Sequence, residues 1–100
     1  MHIIDAHEKL PFETTNFVEA PGRSSDVHFE ENLLALVKRH QFDIHVAAAP
    51  LALMRHLNRT IESAGYRIFL RMINEDDGQF WLRRRSEFEE SSTIARPPHP

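Results

Sequence analysis

The sequence predicts an α+β fold, with two helices packed on a small sheet that ends in a C-terminal β-hairpin, in the order (β)-α-β-α-β-β. Three observations carry this. Apolar residues recur at helical spacing over 27–41 and again over 50–64. Between these stretches Phe42, Ile44 and Val46 alternate with Asp43 and His45, the two-residue period of a half-buried strand. After the second stretch, Tyr66–Ile73 and Gln79–Arg85 are rich in β-forming residues and flank Asn74-Glu75-Asp76-Asp77-Gly78. Asp77-Gly78 is the pair in that linker most tolerant of a tight turn.

Residues 1–25 lack sustained periodicity and read as an irregular arm, with a short strand through Ile3 and Ile4 as its one regular piece. Pro11, Asn16, Pro21, Gly22, Ser24 and Ser25 punctuate it as loop. Leu10, Phe12, Phe17 and Val18 indicate that the arm lies against something. One α+β domain is expected over 26–88. In its first helix Ser25 or Asp26 suits the cap, and Glu30 and Glu31 suit the positive end of the helix dipole. Phe29, Leu33, Leu36, Val37 and His40 form the apolar stripe, and Lys38, Arg39 and His40 fill the last turn. Ala47–Ala49 either extend the strand that follows or open the next helix. Pro50 suits the first helical position of helix two, Met54, Leu57, Ile61 and Ala64 form its stripe, and Gly65 is placed to end it. If strands 42–46 and 66–73 share a sheet around helix two, the right-handed crossover rule makes them parallel. The expected core is Phe29, Leu33, Leu36, Val37, Ile44, Val46, Met54, Leu57, Ile61, Ile68, Leu70, Phe80 and Leu82. Residues 89–100 read as a flexible acidic, Pro-rich tail.

Composition removes several function classes. With 100 residues, 41% of them hydrophobic, the chain has enough apolar residues for one modest core. No apolar run approaches the roughly 18–20 residues that span a bilayer, so no membrane partner is expected. Asp5, Glu8 and Glu13 interrupt any leader pattern. The absence of Cys excludes disulfide scaffolds, zinc-thiolate sites and thiol catalysis, and fits a cytoplasmic location. The formal net charge of −3 weighs against a duplex nucleic-acid binder. Charge is uneven, however: residues 66–86 carry five arginines against three acids, between an acidic head and an acidic tail.

Catalytic motifs are missing. Ser24, Ser25, Ser63 and Ser86 have no nucleophile-elbow context, and three glycines cannot build a phosphate loop. Glu87, Glu89 and Glu90 lie near a chain end, a poor place to hold carboxylates rigidly. Seven histidines call for a metal check, yet no pair has the i, i+4 helical spacing that puts two imidazoles on one face. A site assembled in space from His28, His40 or His45 with a carboxylate is the remaining route to a metal. The expectation is no enzyme activity, no cofactor and no metal.

The hairpin carries the functional lead. Alternation puts Tyr66, Ile68, Leu70, Met72, Phe80 and Leu82 on one face, against the helices. The other face interleaves Arg67, Phe69, Arg71 and Ile73 with Gln79, Trp81, Arg83 and Arg85. Trp and Arg are the residue types enriched at hot spots of protein interfaces. The reading is a small non-enzymatic binding protein, a regulator or oligomer, that docks a protein partner or itself through Arg67, Phe69, Arg71, Trp81, Arg83 and Arg85. The competing structural reading lays the arm over this face, with Phe12, Phe17 and Val18 covering Phe69 and Trp81, and Glu8, Glu13 and Glu19 pairing with the arginines.

The alternative function is a nucleic-acid-binding regulator, either stacking single strands on the hairpin rings or reading duplex DNA. A helix, a tight Gly and a hairpin with an acidic-Gly turn resemble the end of a winged helix-turn-helix. Helix 50–64 would then present Arg55, Asn58 and Arg59 to bases or phosphates. Gln41–Pro50 is too short and strand-like to supply the further helix of that fold, and Glu75-Asp76-Asp77 would turn negative charge toward phosphates.

Overall fold

A computed structural model describes residues 1–23 and 25–85. Its elements are β1 (His2–Ile3), β2 (Phe17–Glu19), α1 (Phe29–Arg39), β3 (Asp43–Pro50), α2 (Leu51–Ser63), β4 (Tyr66–Met72) and β5 (Asp77–Arg84). They form a small α+β fold of two helices and one mixed five-stranded sheet, ordered β1-β4-β5-β3-β2. The finer arrangement departs from the expected order. Two strands precede α1 where one was expected: β1 matches the short strand read at Ile3, and β2 falls in a stretch read as loop. They pair in parallel with β4 and β3 and form the two edges of the sheet. The β4–β5 pair is not an appendage at the end of the fold, because β5 is the central strand, antiparallel to both β3 and β4. Strands β3 and β4 therefore run in the same direction but are separated by β5. The expected tail, 89–100, lies outside the described residues.

Local chemistry explains the element ends. α1 begins at Phe29, later than the expected cap, because Asp26 is used elsewhere: its Oδ2 accepts the Arg23 N–H at 2.8 Å and closes the preceding turn. Glu30 and Glu31 still sit at the positive end of the dipole. α1 stops at His40, which adopts the left-handed conformation (φ 53°) and donates its N–H to the Val37 carbonyl at 3.1 Å. His40 thus ends the helix and does not extend its stripe. Pro50 is the last strand residue and caps α2, so Leu51 is the first helical position. After α2, Gly65 takes φ +97°. A Cβ on Gly65 would stand 2.8 Å from His40 Nε2, so the side-chain-free residue lets the ends of the two helices meet.

Both helices cover one face of the sheet. Phe29, Leu33 and Val37 from α1, and Met54, Leu57 and Ile61 from α2, pack with Ile44, Val46, Ile68, Leu70, Phe80 and Leu82. Each such side chain contributes about 1.5–3 kcal/mol of hydrophobic stabilisation. Of the expected core only Leu36 stays half-buried, while Ala49 and Tyr66 join it. A register shift between Val46 and Ala49 marks a bulge at the exposed Ala47 and Ala48, so the stretch left open between strand and helix is strand.

The turn between β4 and β5 uses different residues from those expected. Asn74 Oδ1 accepts the N–H groups of Asp76 at 2.8 Å and Asp77 at 2.9 Å, an Asx-type staple. Gly78 lies inside β5, buried opposite Met72 and Ala49.

Candidate functional site

The face away from the helices is built around one row of side chains. His2, Phe69, Trp81, His45 and Glu19 are successive cross-strand partners on β1, β4, β5, β3 and β2. Because side chains alternate along each strand, all five point away from the helical layer. They touch as a ladder. His2 stacks on Phe69 at 5.1 Å, and His45 stacks on Trp81 at 5.4 Å. Gln79 Nε2 donates to His45 Nε2 at 2.8 Å, and His45 Nδ1 in turn donates to Glu19 Oε1 at 2.7 Å. Cationic side chains flank the ladder: the guanidinium pair Arg67 and Arg83 on one side, and Arg71 opposite the Gln79 amide on the other. Arg71 lies over the Trp81 ring at 5.5 Å.

The arm crosses this face. Strands β1 and β2 occupy opposite sheet edges, so residues 4–16 must pass from one edge to the other. They run over the helix-free side as a strap. Phe12 meets the edge of Phe69 at 4.9 Å, stacks on Phe17 at 5.5 Å, and lies under the Arg83 guanidinium at 4.9 Å. The Arg71 guanidinium donates to the Glu8 carbonyl. The strap acids are not used as the covering-arm reading supposed: Glu8 offers its backbone oxygen, and Glu19 pairs with His45.

Exposure on this face therefore differs from the open surface expected for the hairpin. Trp81 is only 3% exposed and is a buried support, not a protruding anchor. Phe69, Arg67, Arg71 and Arg83 are half-buried, and Arg85 is exposed just beyond β5, its N–H donating to the Gly65 carbonyl at 2.6 Å. The second candidate set lies elsewhere. Arg55 and Arg59 are exposed on α2, in the layer opposite the strap, and half-buried Asn58 donates to Glu62 Oε1 at 3.3 Å. The two sets do not converge. The architecture is also not that of a winged helix, since β3 stands where its further helix would be and the would-be wing is the middle of the sheet.

Sequence reasoning missed Asp43. At 8% exposure its carboxylate accepts the Arg84 N–H at 2.9 Å and lies 3.9 and 3.6 Å from Nε of Arg83 and Arg84. It ties the start of β3 to the end of β5 and steadies two of the arginines. The alternation did place Asp43 and His45 on one face of their strand, and for Asp43 that was the only signal.

Two of the cavities that border β1 or β2 bear on this face. One, about 220 Å³, lies between strap and sheet at the Arg67/Arg83 end. The other, about 440 Å³, lies between β2 and α1, and its wall carries one guanidinium, Arg39, and one carboxylate, Glu19. Among the described residues no three His, Asp or Glu side chains come together to hold a metal ion, and no helix is long and apolar enough to cross a membrane. Comparison with protein-family models, with curated proteins and with solved structures finds no match.

Proposed function

We propose that the chain is a small non-enzymatic binding protein that docks a protein partner, or a second copy of itself, on the strap-crossed face of its sheet. The observation that carries this is the ring ladder flanked by half-buried guanidinium groups. Aromatic rings supply contact area with little rotamer entropy to lose, and arginine supplies planar, directional donors. Arg67, Phe69, Arg71 and Arg83 would form the contact. Trp81 would work from beneath, holding Arg71 and His45 in place, and Arg85 would sit at the rim. The net charge of −3 favours a protein over a polyanion as the occupant.

The test is charge reversal at Arg67 and Arg83, made together. Light scattering reads self-association, and cross-linking followed by peptide identification reads a partner. The expected outcome is loss of association in Arg67→Glu/Arg83→Glu, read well below its melting transition, which the repulsion between a carboxylate at 83 and Asp43 should lower. Association that survives this pair, but is lost in Arg55→Glu/Arg59→Glu, would refute the assignment and move the contact to α2.

A further inference from the structure

The cavity between strap and sheet has a chemistry that narrows the partner. At about 220 Å³ it is smaller than the roughly 300–1,000 Å³ of pockets for drug-sized ligands, so it suits one ring. Three of its walls are rings. Phe69 forms the floor, His2 is stacked on it at 5.1 Å, and Phe12 closes the far side with an edge contact at 4.9 Å. Pro11 adds an apolar edge, and the remaining lining is cationic, from Arg67, Arg83 and Arg84; Asp43 stands against the last two from outside the cavity, and no acidic side chain among the described residues lines it. A plain apolar ring would leave guanidinium groups desolvated against hydrocarbon. A bare carboxylate would place charge against three aromatic walls. A ring with carboxylates beside it satisfies both halves, through ring packing and charge-assisted hydrogen bonds.

We propose that this pocket takes the aromatic side chain of an acidic segment in the protein partner, with its ring packed beside the touching Phe12 and Phe69 rings and the flanking carboxylates on Arg67, Arg83 and Arg84. This rests on the docking reading above and specifies its occupant. The site is preorganised, which lowers the ordering cost of binding. Arg83 and Arg84 stand on the central strand, and Asp43 accepts the Arg84 N–H at 2.9 Å. Arg83 is already set over the Phe12 ring at 4.9 Å. The Phe12 wall comes from the strap, with Pro11 beside it, so its ring can be removed without altering the sheet.

Trp81 is the single tryptophan and the cross-strand neighbour of Phe69, so its fluorescence reports on the pocket. The full chain is titrated at low salt with a blocked peptide, Glu-Glu-Phe-Glu-Glu. It is then titrated with the same peptide carrying Ser for Phe, and with Gln for every Glu. Saturable binding of the first is expected, weakened about tenfold or more by either change. Arg67→Gln and Phe12→Ser, each checked for an unchanged melting transition, should weaken it to a similar degree. Equal binding of the uncharged or ring-free peptide, or indifference to both variants, overturns the proposal. The chain itself contains Glu87-Phe88-Glu89-Glu90, of the same chemistry. If the peptide binds only to a Phe88→Ser chain, that segment is the occupant and the partner assignment falls. Failure here is separable from failure of the docking reading. If no peptide binds, yet association is still lost in Arg67→Glu/Arg83→Glu, only the occupant is wrong.

Discussion

Tyr66 shows how one side chain joins fold to chemistry. It is fully buried, its hydroxyl donates to the Phe42 carbonyl at 2.9 Å, and its ring meets His40 edge-on at 5.2 Å. Burial pushes the phenol up from 10.0 to about 12; the Arg84 guanidinium pulls it down and the Asp43 charge adds to the rise. The unfolded chain loses this proton near pH 10, whereas the folded chain keeps it. The stabilisation is therefore complete below pH 10 and is lost as pH rises through about 12, on the order of 2–3 kcal/mol. Tyr66 is the only tyrosine, so phenolate absorbance reads it directly, and a midpoint near 10 would contradict this. Tyr66→Phe should flatten the alkaline limb of the stability curve. Gly78 gives a second prediction. A Cβ there would overlap Leu70 Cδ1 inside the sheet, so Gly78→Ala should cost about 1–3 kcal/mol in urea unfolding. A turn glycine would accept alanine more cheaply if its φ allowed. The Asp-Gly pair was visible in the sequence, but its role was not, because Asn74 one turn earlier competes for the same backbone N–H groups. Trp81→Ala should cost about 3–5 kcal/mol, as removal of a buried indole does, and calorimetry would show it.

Among the elements, the helices were the most legible. Each spans three turns or so of apolar stripe, enough repeats for the period to stand out, and both form close to the expected limits. Strand β3 was legible for the same reason over fewer residues. Of the two edge strands, β1 was read at Ile3 within a residue of its place, and β2 was not. β2 has three residues, too few to show alternation, and it is a strand only because β3 offers it hydrogen-bond partners. Which face of the β4–β5 pair turns inward followed from parity. Whether the other face is open did not, because that depends on where residues 4–16 travel, and their route is fixed by the sheet order. The strap has a testable independence. Its ring contacts run through Phe12, so Phe12→Ser should speed amide exchange and proteolysis within 4–16 while α1, α2 and the central strands stay protected. Equal loss of protection across the sheet would show that strap and sheet open as one unit.

For the molecule as a whole, the layered arrangement separates two kinds of charge. The Arg-rich end of β4 and β5 lies on the strap side, whereas the exposed Arg55 and Arg59 of α2 lie in the helical layer. A protein ligand held by the first set gains from ring packing, which salt does not screen, as well as from its arginines, so part of its affinity should persist at high salt. A polyanion on the second would lose affinity steeply as counterions are released. A salt titration of whichever partner is found distinguishes the two by slope. The order of strands carries a further consequence, for synthesis. β5 is the last strand along the described chain and the middle strand of the sheet. A nascent chain on the ribosome holds β2 beside β3, and β1 beside β4, with no strand-to-strand hydrogen bonds to join the two pairs until residues 77–84 emerge. Closing the sheet is therefore a late, long-range event of the kind that slows folding, and a fragment stopped at residue 73 should remain unfolded by far-UV circular dichroism.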